Sequence, residues 1–253
     1  MKRPYTILLI LLGAIALLVL TIVANISRSH STVSGIEVSL RCGDTPQLVD
    51  EQAVIDSVLA AIPALLATRV QDVDRRAVAD AAARVPYLRD VSATVSVSGK
   101  VVVRAVQCTP IVRLFYGSRE YYVDADFRFM PPGSRGFCDV LVASGQFTEP
   151  LCTDSLNLQL SSLLTLARWL YDHPKYSCLI DQIYSLPNAD IILVPKLGNH
   201  TIELGSATDL DDKFSRLLLF YLKGMPRAGW HTYSKINLKF NHQVVCTKES
   251  NNR

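Results

Sequence analysis

The distribution of charge along the chain sets the first division. Thr6 to Ala24 contains no charged residue. Nineteen residues at about 1.5 Å rise each span roughly 28 Å, close to the thickness of a hydrocarbon core. The run has no polar face, which argues against a buried helix of a soluble protein. A cleaved signal peptide would carry an apolar stretch of about 7–15 residues and a small-residue cleavage site. This run is longer and no A-x-A closes it, so it predicts an uncleaved single membrane anchor. Lys2 and Arg3 precede it and Arg28 follows; the bias in positive charge favours a cytoplasmic N-terminus of residues 1–5 and an exported body.

After a Ser/Thr-rich spacer, residues 25–34, the periodicity changes element by element. Ile36 to Leu40 alternates apolar and polar, a strand signal. Asp50 is placed to cap a helix whose Val54, Ile55, Val58, Leu59 and Ile62 share one face. Asp74 is placed to cap a second, with Val78, Ala81, Ala82 and Val85 inward, and Pro63 and Pro86 act as stops. Val91, Ala93, Val95 and Val97 alternate with polar residues, Ser98-Gly99 makes a turn, and Lys100 to Val106 returns. Strand, helix, helix, strand, strand therefore occupy residues 35–109.

Residues 110–248 read as strands with two helices. Ile111–Tyr116 and Tyr121–Asp124 flank a turn, and Cys138–Ala143 forms a further strand. A helix after Asp154 carries Leu156, Leu160, Leu163, Ala167 and Leu170; Asp190–Val194 and Thr201–Leu204 pair around Gly198-Asn199. Thr208 and Asp211 suggest a capping box for a second helix burying Leu210, Phe214, Leu217, Leu218 and Tyr221, ended by Gly224. One last strand is predicted from Ser234 to about Thr247, followed by a polar tail, residues 249–253. The fold class is thus α+β: one transmembrane helix, a small mixed unit and a larger β-rich unit.

Composition adds limits. The 253 residues are 49% apolar with a net charge of +3, and scattered Lys and Arg make no basic stripe, so nucleic acid is not an expected partner. The six cysteines lack C-x-x-C spacing; an exported body permits disulfides, with Cys138 and Cys152 the closest pair, while Cys108 and Cys246 sit in strand-like runs and read as buried apolar residues. HExxH, GxxxxGK[ST], GxGxxG and GxSxG are all missing from the sequence. Asp124-Ala125-Asp126 reads as a turn, and Asp209, Asp211 and Asp212 complement a helix N-terminus. No cofactor or metal is expected, while a catalytic triad assembled from residues distant in sequence stays open at this point. The binding signal lies in the last strand, Lys235 to Val245, where Ile236, Leu238 and Phe240 alternate. A terminal strand is often a sheet edge able to accept a partner strand; on the strand alone, an ordinary last strand covered by a neighbour or shielded by its lysines fits equally.

Several stretches in order resemble the FtsQ/DivIB family of bacterial cell-division proteins over most of the chain. They are the anchor; Val85-Pro86-Tyr87-Leu88-Arg89-Asp90-Val91; Val101 to Pro110, a strand closing near E-R-x-P; Tyr121-Tyr122-Val123-Asp124; and Ser234 to Lys248. Departures are Gln107-Cys108 where many members carry Glu-Arg, Phe127 where glycine is frequent, and Arg41-Cys42-Gly43 in the first strand. The resemblance implies a POTRA-like β-α-α-β-β domain followed by a β domain, and no catalysis. It implies a divisome scaffold in the inner membrane at the septum, binding FtsB-like and FtsL-like proteins and, through them, FtsW/FtsI-like septal synthases. It implies a partner-binding edge at Lys239, Phe240, Asn241, His242, Gln243 and Val244, the Lys239-Phe240 pair matching a basic-aromatic pair. The rival readings are a membrane-anchored envelope hydrolase and a POTRA module in export or outer-membrane assembly.

Overall fold

The computed structural model describes residues 12–19, 31–43, 45–133, 137–146 and 158–249. Residues 12–19 are helical (α1), and Leu12, Ile15, Leu17, Leu18 and Val19 expose 52–68% of their surface. Among the described residues no helix is long and apolar enough to cross a membrane; the remainder of Thr6 to Ala24 lies outside them. From residue 31 the described chain forms two compact units that part between Cys108 and Thr109.

The first unit runs β1 (Gly35–Arg41), α2 (Glu51–Ala61), α3 (Arg75–Ala82), β2 (Leu88–Val95) and β3 (Lys100–Gln107). Its sheet has the order β1-β3-β2, with β3 parallel to β1 and antiparallel to β2. Both capping aspartates act as their positions suggest. Asp50 accepts from the Gln52 amide at 3.1 Å, and Asp74 accepts from Arg76 and Ala77 at 3.0 and 3.1 Å. Val54, Val58, Val78, Ala81 and Ala82 are buried, as are Val101, Val103 and Ala105 of the central strand, so alternation in β3 and helical spacing in α2 and α3 supply one core. Gln107 is buried with its amide fully used: it donates to Pro46 O at 2.9 Å and Thr45 Oγ1 at 3.3 Å, and accepts from Leu48 N at 2.7 Å. A neutral amide thereby ties the loop before α2 to the end of β3.

The second unit contains β4 (Pro110–Tyr116), β5 (Arg119–Asp124), β6 (Phe129–Met130), β7 (Leu141–Gly145), α4 (Leu158–Asp172), α5 (Pro174–Ser177), β8 (Ile180–Ser185), β9 (Ile191–Pro195) and β10 (Thr201–Gly205). It closes with α6 (Leu210–Leu219), a π-helical turn (Phe220–Gly224), α7 (Met225–Ala228), β11 (Tyr233–Asn237) and β12 (Val245–Lys248). The nine strands form one sheet, β12-β11-β10-β9-β8-β7-β4-β5-β6. Strand registers align Leu114, Ala143, Ile183, Leu193, Ile202 and Ile236 in a single row, all fully buried. Leu160, Leu163, Leu164, Ala167 and Leu170 of α4 join Phe214 and Leu217 of α6 in the same core. The neighbouring row, Phe115, Ser144, Tyr184, Ile192, Glu203 and Asn237, is only half-buried. Helices therefore cover one face, and period-2 patterning assigns each residue to its side.

Five expectations are corrected. The last strand is two strands, because His242 adopts φ 59° in a turn and the chain folds back on itself. Gly224 does not end a helix: the π turn runs on into α7. The Thr208–Asp211 capping box does not form; Asp209 occupies the N-cap in a left-handed conformation without a side-chain cap, and the Thr208 hydroxyl bonds Ser206. Besides the two long helices there are two single-turn ones, α5 and α7. Finally, the strand predicted over Cys138–Ala143 is β7, Leu141–Gly145, and does not include Cys138, a free, buried thiol whose backbone N–H donates to Tyr122 Oη at 2.9 Å; Cys152 lies outside the described residues.

Candidate functional site: the β11–β12 turn

Residues 238–244 join the last two strands at one end of the nine-stranded sheet. Leu238 is buried and donates its N–H to Glu203 O at 2.9 Å, extending the β11–β10 ladder by one bond. Asn237 then turns the chain: its Oδ1 accepts from Lys239 N at 2.9 Å while its Nδ2 donates to Glu203 Oε2 at 2.9 Å. A side chain that bonds its own backbone two residues on competes with strand continuation. The Lys239 ammonium donates to Asp190 Oδ2 at 2.6 Å. That hydrogen bond holds the Asp190 carboxyl below its ordinary pKa. The lysine stem lies against Gly205, where a Cβ would fall 2.9 Å from Lys239 Cγ. Lys239 is thus paired within the chain. Phe240, by contrast, is 49% exposed.

Arg216 on α6 closes the turn from beneath. Its guanidinium donates to Leu238 O at 3.2 Å, to Phe240 O at 2.9 Å and to Gln243 O, and pairs with Asp212 at 2.8 Å. Charged donors to main-chain carbonyls are among the stronger protein hydrogen bonds. One side chain, 13% exposed, therefore fixes three points of the seven-residue turn. Val244 is half-buried and packs on the core, and β12 follows, bonded to β11. Among the described residues no strand pairs with its other side, which makes it an edge of the sheet. Neither Arg216 nor Asp190 stood out from the sequence. Asp212 and Arg216 at i, i+4 were a visible pair, but nothing local indicated that the arginine would also reach carbonyls 22 to 27 positions ahead.

The residues considered for chemistry have structural partners. Asp124 Oδ1 accepts from the Asp126 and Arg128 amides, each at 2.9 Å, which makes a turn. Among the described residues no three His, Cys, Asp or Glu side chains are grouped to hold a metal. His200 is buried, and its Nε2 lies 2.7 Å from Tyr221 Oη in the π turn. Burial lowers the His200 pKa below 6.5 and raises that of Tyr221, so both are neutral near pH 7.

Against this geometry the comparisons are informative. The FtsQ/DivIB, C-terminal related family model matches residues 109–247, all but the C-terminal end of the second unit and more than half of the chain. The chain belongs to this family. A curated relative, the cell division protein FtsQ of Rhodothermus marinus, is 26% identical over 189 residues, covering 71% of this chain and 67% of the relative. The matched FtsQ/DivIB-related stretch contains Arg216, Asp190, the whole β11–β12 turn and nearly all of β12.

Proposed function

We propose that this chain is a non-catalytic scaffold of the cell-division machinery. It would sit in the inner membrane through the segment Thr6 to Ala24, with its two units exported, and gather FtsB-like and FtsL-like proteins, and through them FtsW/FtsI-like septal synthases. Family membership and the cell-division relative support the role. The outward-facing apolar side chains of α1 and the uncharged run around it support the anchor. The β1-α2-α3-β2-β3 order of the first unit supports a POTRA-like domain.

The observation that carries the binding site is the free edge of β12 beside a turn that is fully braced from within yet leaves Phe240 half exposed. An edge strand offers main-chain donors and acceptors in register, and an adjacent aromatic supplies apolar area for a partner to bury. The docking feature is therefore β12 with Phe240 and the exposed Asn241, His242 and Gln243 at its entrance, while Lys239 and Val244 hold the turn in place.

The test is capture of the host's FtsB-like and FtsL-like chains by the full-length protein in detergent, comparing wild type with Phe240→Ala. Because Phe240 lies outside the core, the variant should melt at the wild-type temperature and capture at least about tenfold less, the scale of an interfacial hot spot. Failure of the folded wild type to capture either chain would sink the scaffold reading.

A further inference from the structure

Between α4, the β8–β9 turn and the β10–α6 connection lies a cleft of about 310 Å³, at the low end of the range for small-ligand sites, about 300–1,000 Å³. Leu158, Ser161, Ser162 and Thr165 line it from α4; their i, i+3, i+4, i+7 spacing puts them on one side of the helix. Asn188 and Asp190 come from the β8–β9 turn, and Ser206 and Thr208 from the connection. Five of the side chains around the cleft therefore carry a hydroxyl.

The walls are held from behind. Gln159 Nε2 donates to Pro187 O at 2.7 Å and ties α4 to the β8–β9 turn. The buried Lys213 ammonium donates to Ser206 O at 2.8 Å and fixes the β10–α6 connection, where the Ser206 and Thr208 hydroxyls lie 2.8 Å apart in a hydrogen bond. Backbone strain brackets the cleft: Ala189, which lines it, has φ 64°, and Asp209, next to Thr208, has φ 51°. Glycine adopts such angles without strain, and non-glycine residues held there collect at functional sites. The Ser161 and Ser162 hydroxyls, by contrast, make no hydrogen bond among the described residues. Two unspent hydroxyls thus face a cleft whose walls cannot easily shift to meet them.

The lining discriminates among classes of ligand. It contains no Lys, Arg or His, and its one carboxylate, Asp190, is paired with Lys239 at 2.6 Å. An anion would meet that carboxylate with no cation in the lining to offset it. A cation would find a single carboxylate already neutralised. A wholly apolar ligand would strip water from the hydroxyls and leave them unpaired. A neutral ligand rich in hydroxyls meets none of these penalties. We infer that the cleft binds a neutral saccharide. Ser161 and Ser162 can each donate and accept, as can every sugar hydroxyl they face. Leu158, 71% exposed, lies with Ala189 and Ala207 against the C–H face of the ring. This goes beyond the scaffold reading and stands without it, since no partner chain takes part.

The experiment uses full-length protein in lipid nanodiscs, which avoid sugar-headed detergents, with chitotriose and cellotriose as probes and saturation-transfer difference NMR as the readout. The two share a backbone and differ in carrying an acetamido group or a hydroxyl at one ring position. Wild type should give transfer signals with at least one of them, with a Kd on the order of 1 mM. Ser162→Leu fills the cleft and should abolish the signals. Ser161→Ala removes one neutral hydrogen bond and should weaken binding about threefold to tenfold. Both serines are only half-buried, so the melting temperature should stay at the wild-type value; the milder Ser161→Ala keeps the test decisive if Ser162→Leu fails to fold. If the folded wild type gives signals with neither probe, or if the folded variants bind as wild type does, the saccharide site is overturned. Capture of the FtsB-like and FtsL-like chains by wild type and Ser161→Ala alike would leave the scaffold reading standing in either case.

Discussion

The hairpins β2–β3 and β11–β12 end their respective sheets in contrasting ways. In β2–β3 the turn is closed mainly by its own residues: Ser96 donates to Lys100 O at 2.8 Å, Gly99 donates to Ser96 O at 3.0 Å, and Gly99 supplies φ 81°. From outside, Ser34 just before β1 donates to Gly99 O at 3.0 Å and to Ser98 O at 3.2 Å. In β11–β12 seven residues separate the strands, and the closing groups come from elsewhere: Arg216 from α6, Glu203 from β10 and Asp190 from the β8–β9 connection. A turn built from its own residues forms wherever that sequence is placed. A turn braced by distant groups exists only once the helix beneath it has packed, and it is then held as a fixed surface. That suits a docking element, because a partner meets a loop already ordered and loses less conformational freedom on binding.

The contrast can be broken most strongly at the brace. Arg216→Met keeps the length of the side chain and removes its donors, leaving Leu238 O, Phe240 O and Gln243 O without their shared partner. It should lower the stability of the second unit by about 2 kcal/mol and increase amide exchange across residues 238–246. The β2–β3 hairpin should keep its wild-type protection. A uniform loss of protection in both hairpins would mean that the brace acts on global stability and not on the turn.

The local turn should break at Gly99. Gly99→Ala asks an L-residue to adopt φ 81°, at a cost of about 1 kcal/mol. Space is available, since the added methyl would meet Ser34 Oγ and Val70 Cγ2 at 3.6 Å, so backbone strain is the whole effect. Denaturant unfolding should show a lower midpoint, and Gly99→Asn should recover part of it because asparagine tolerates the left-handed region.

The smallest effect sharpens the comparison by pH. His200 is held neutral by burial, with its folded pKa below 6.5. Below pH 6.5 the unfolded chain takes up a proton that the folded chain does not, so stability falls as pH drops from 6.5 toward the folded value. The loss should appear as faster exchange in the π turn and the β11–β12 turn above it. Residues 31–108 contain no histidine, so the first unit should show no change over that window. His200→Gln should flatten the profile.

The same contrast explains what was legible in advance. The caps at Asp50 and Asp74, the Ser98-Gly99 turn and the alternation of Val101, Val103 and Ala105 are encoded within a few residues, and all appear where the pattern puts them. The last strand was misread because Lys235 to Val245 keeps a plausible alternation through the bend, and no Gly or Pro marks it. The turn is made by Asn237 bonding its own backbone and by His242 at φ 59°, both permitted but weak local signals. The bond from Lys239 to Asp190, 49 positions away, had no local signal in the sequence.

What the sequence determined by itself is the set of short-range facts: the uncharged run, the apolar faces of the helices, the alternation that puts Leu193, Ile202 and Ile236 in one buried row, and the family resemblance carried by motifs in order. These follow from periodicity and local hydrogen bonding, which act over a turn of helix or a pair of strands. What only the tertiary structure decided is which polar groups are already spoken for. Arg216, Lys239 and Asp190 are consumed in bracing the turn, while Phe240 and Lys223 are left outward. Whether a side chain is spent on the fold or available to a partner depends on groups brought together by packing, and packing is settled between residues that are distant along the chain.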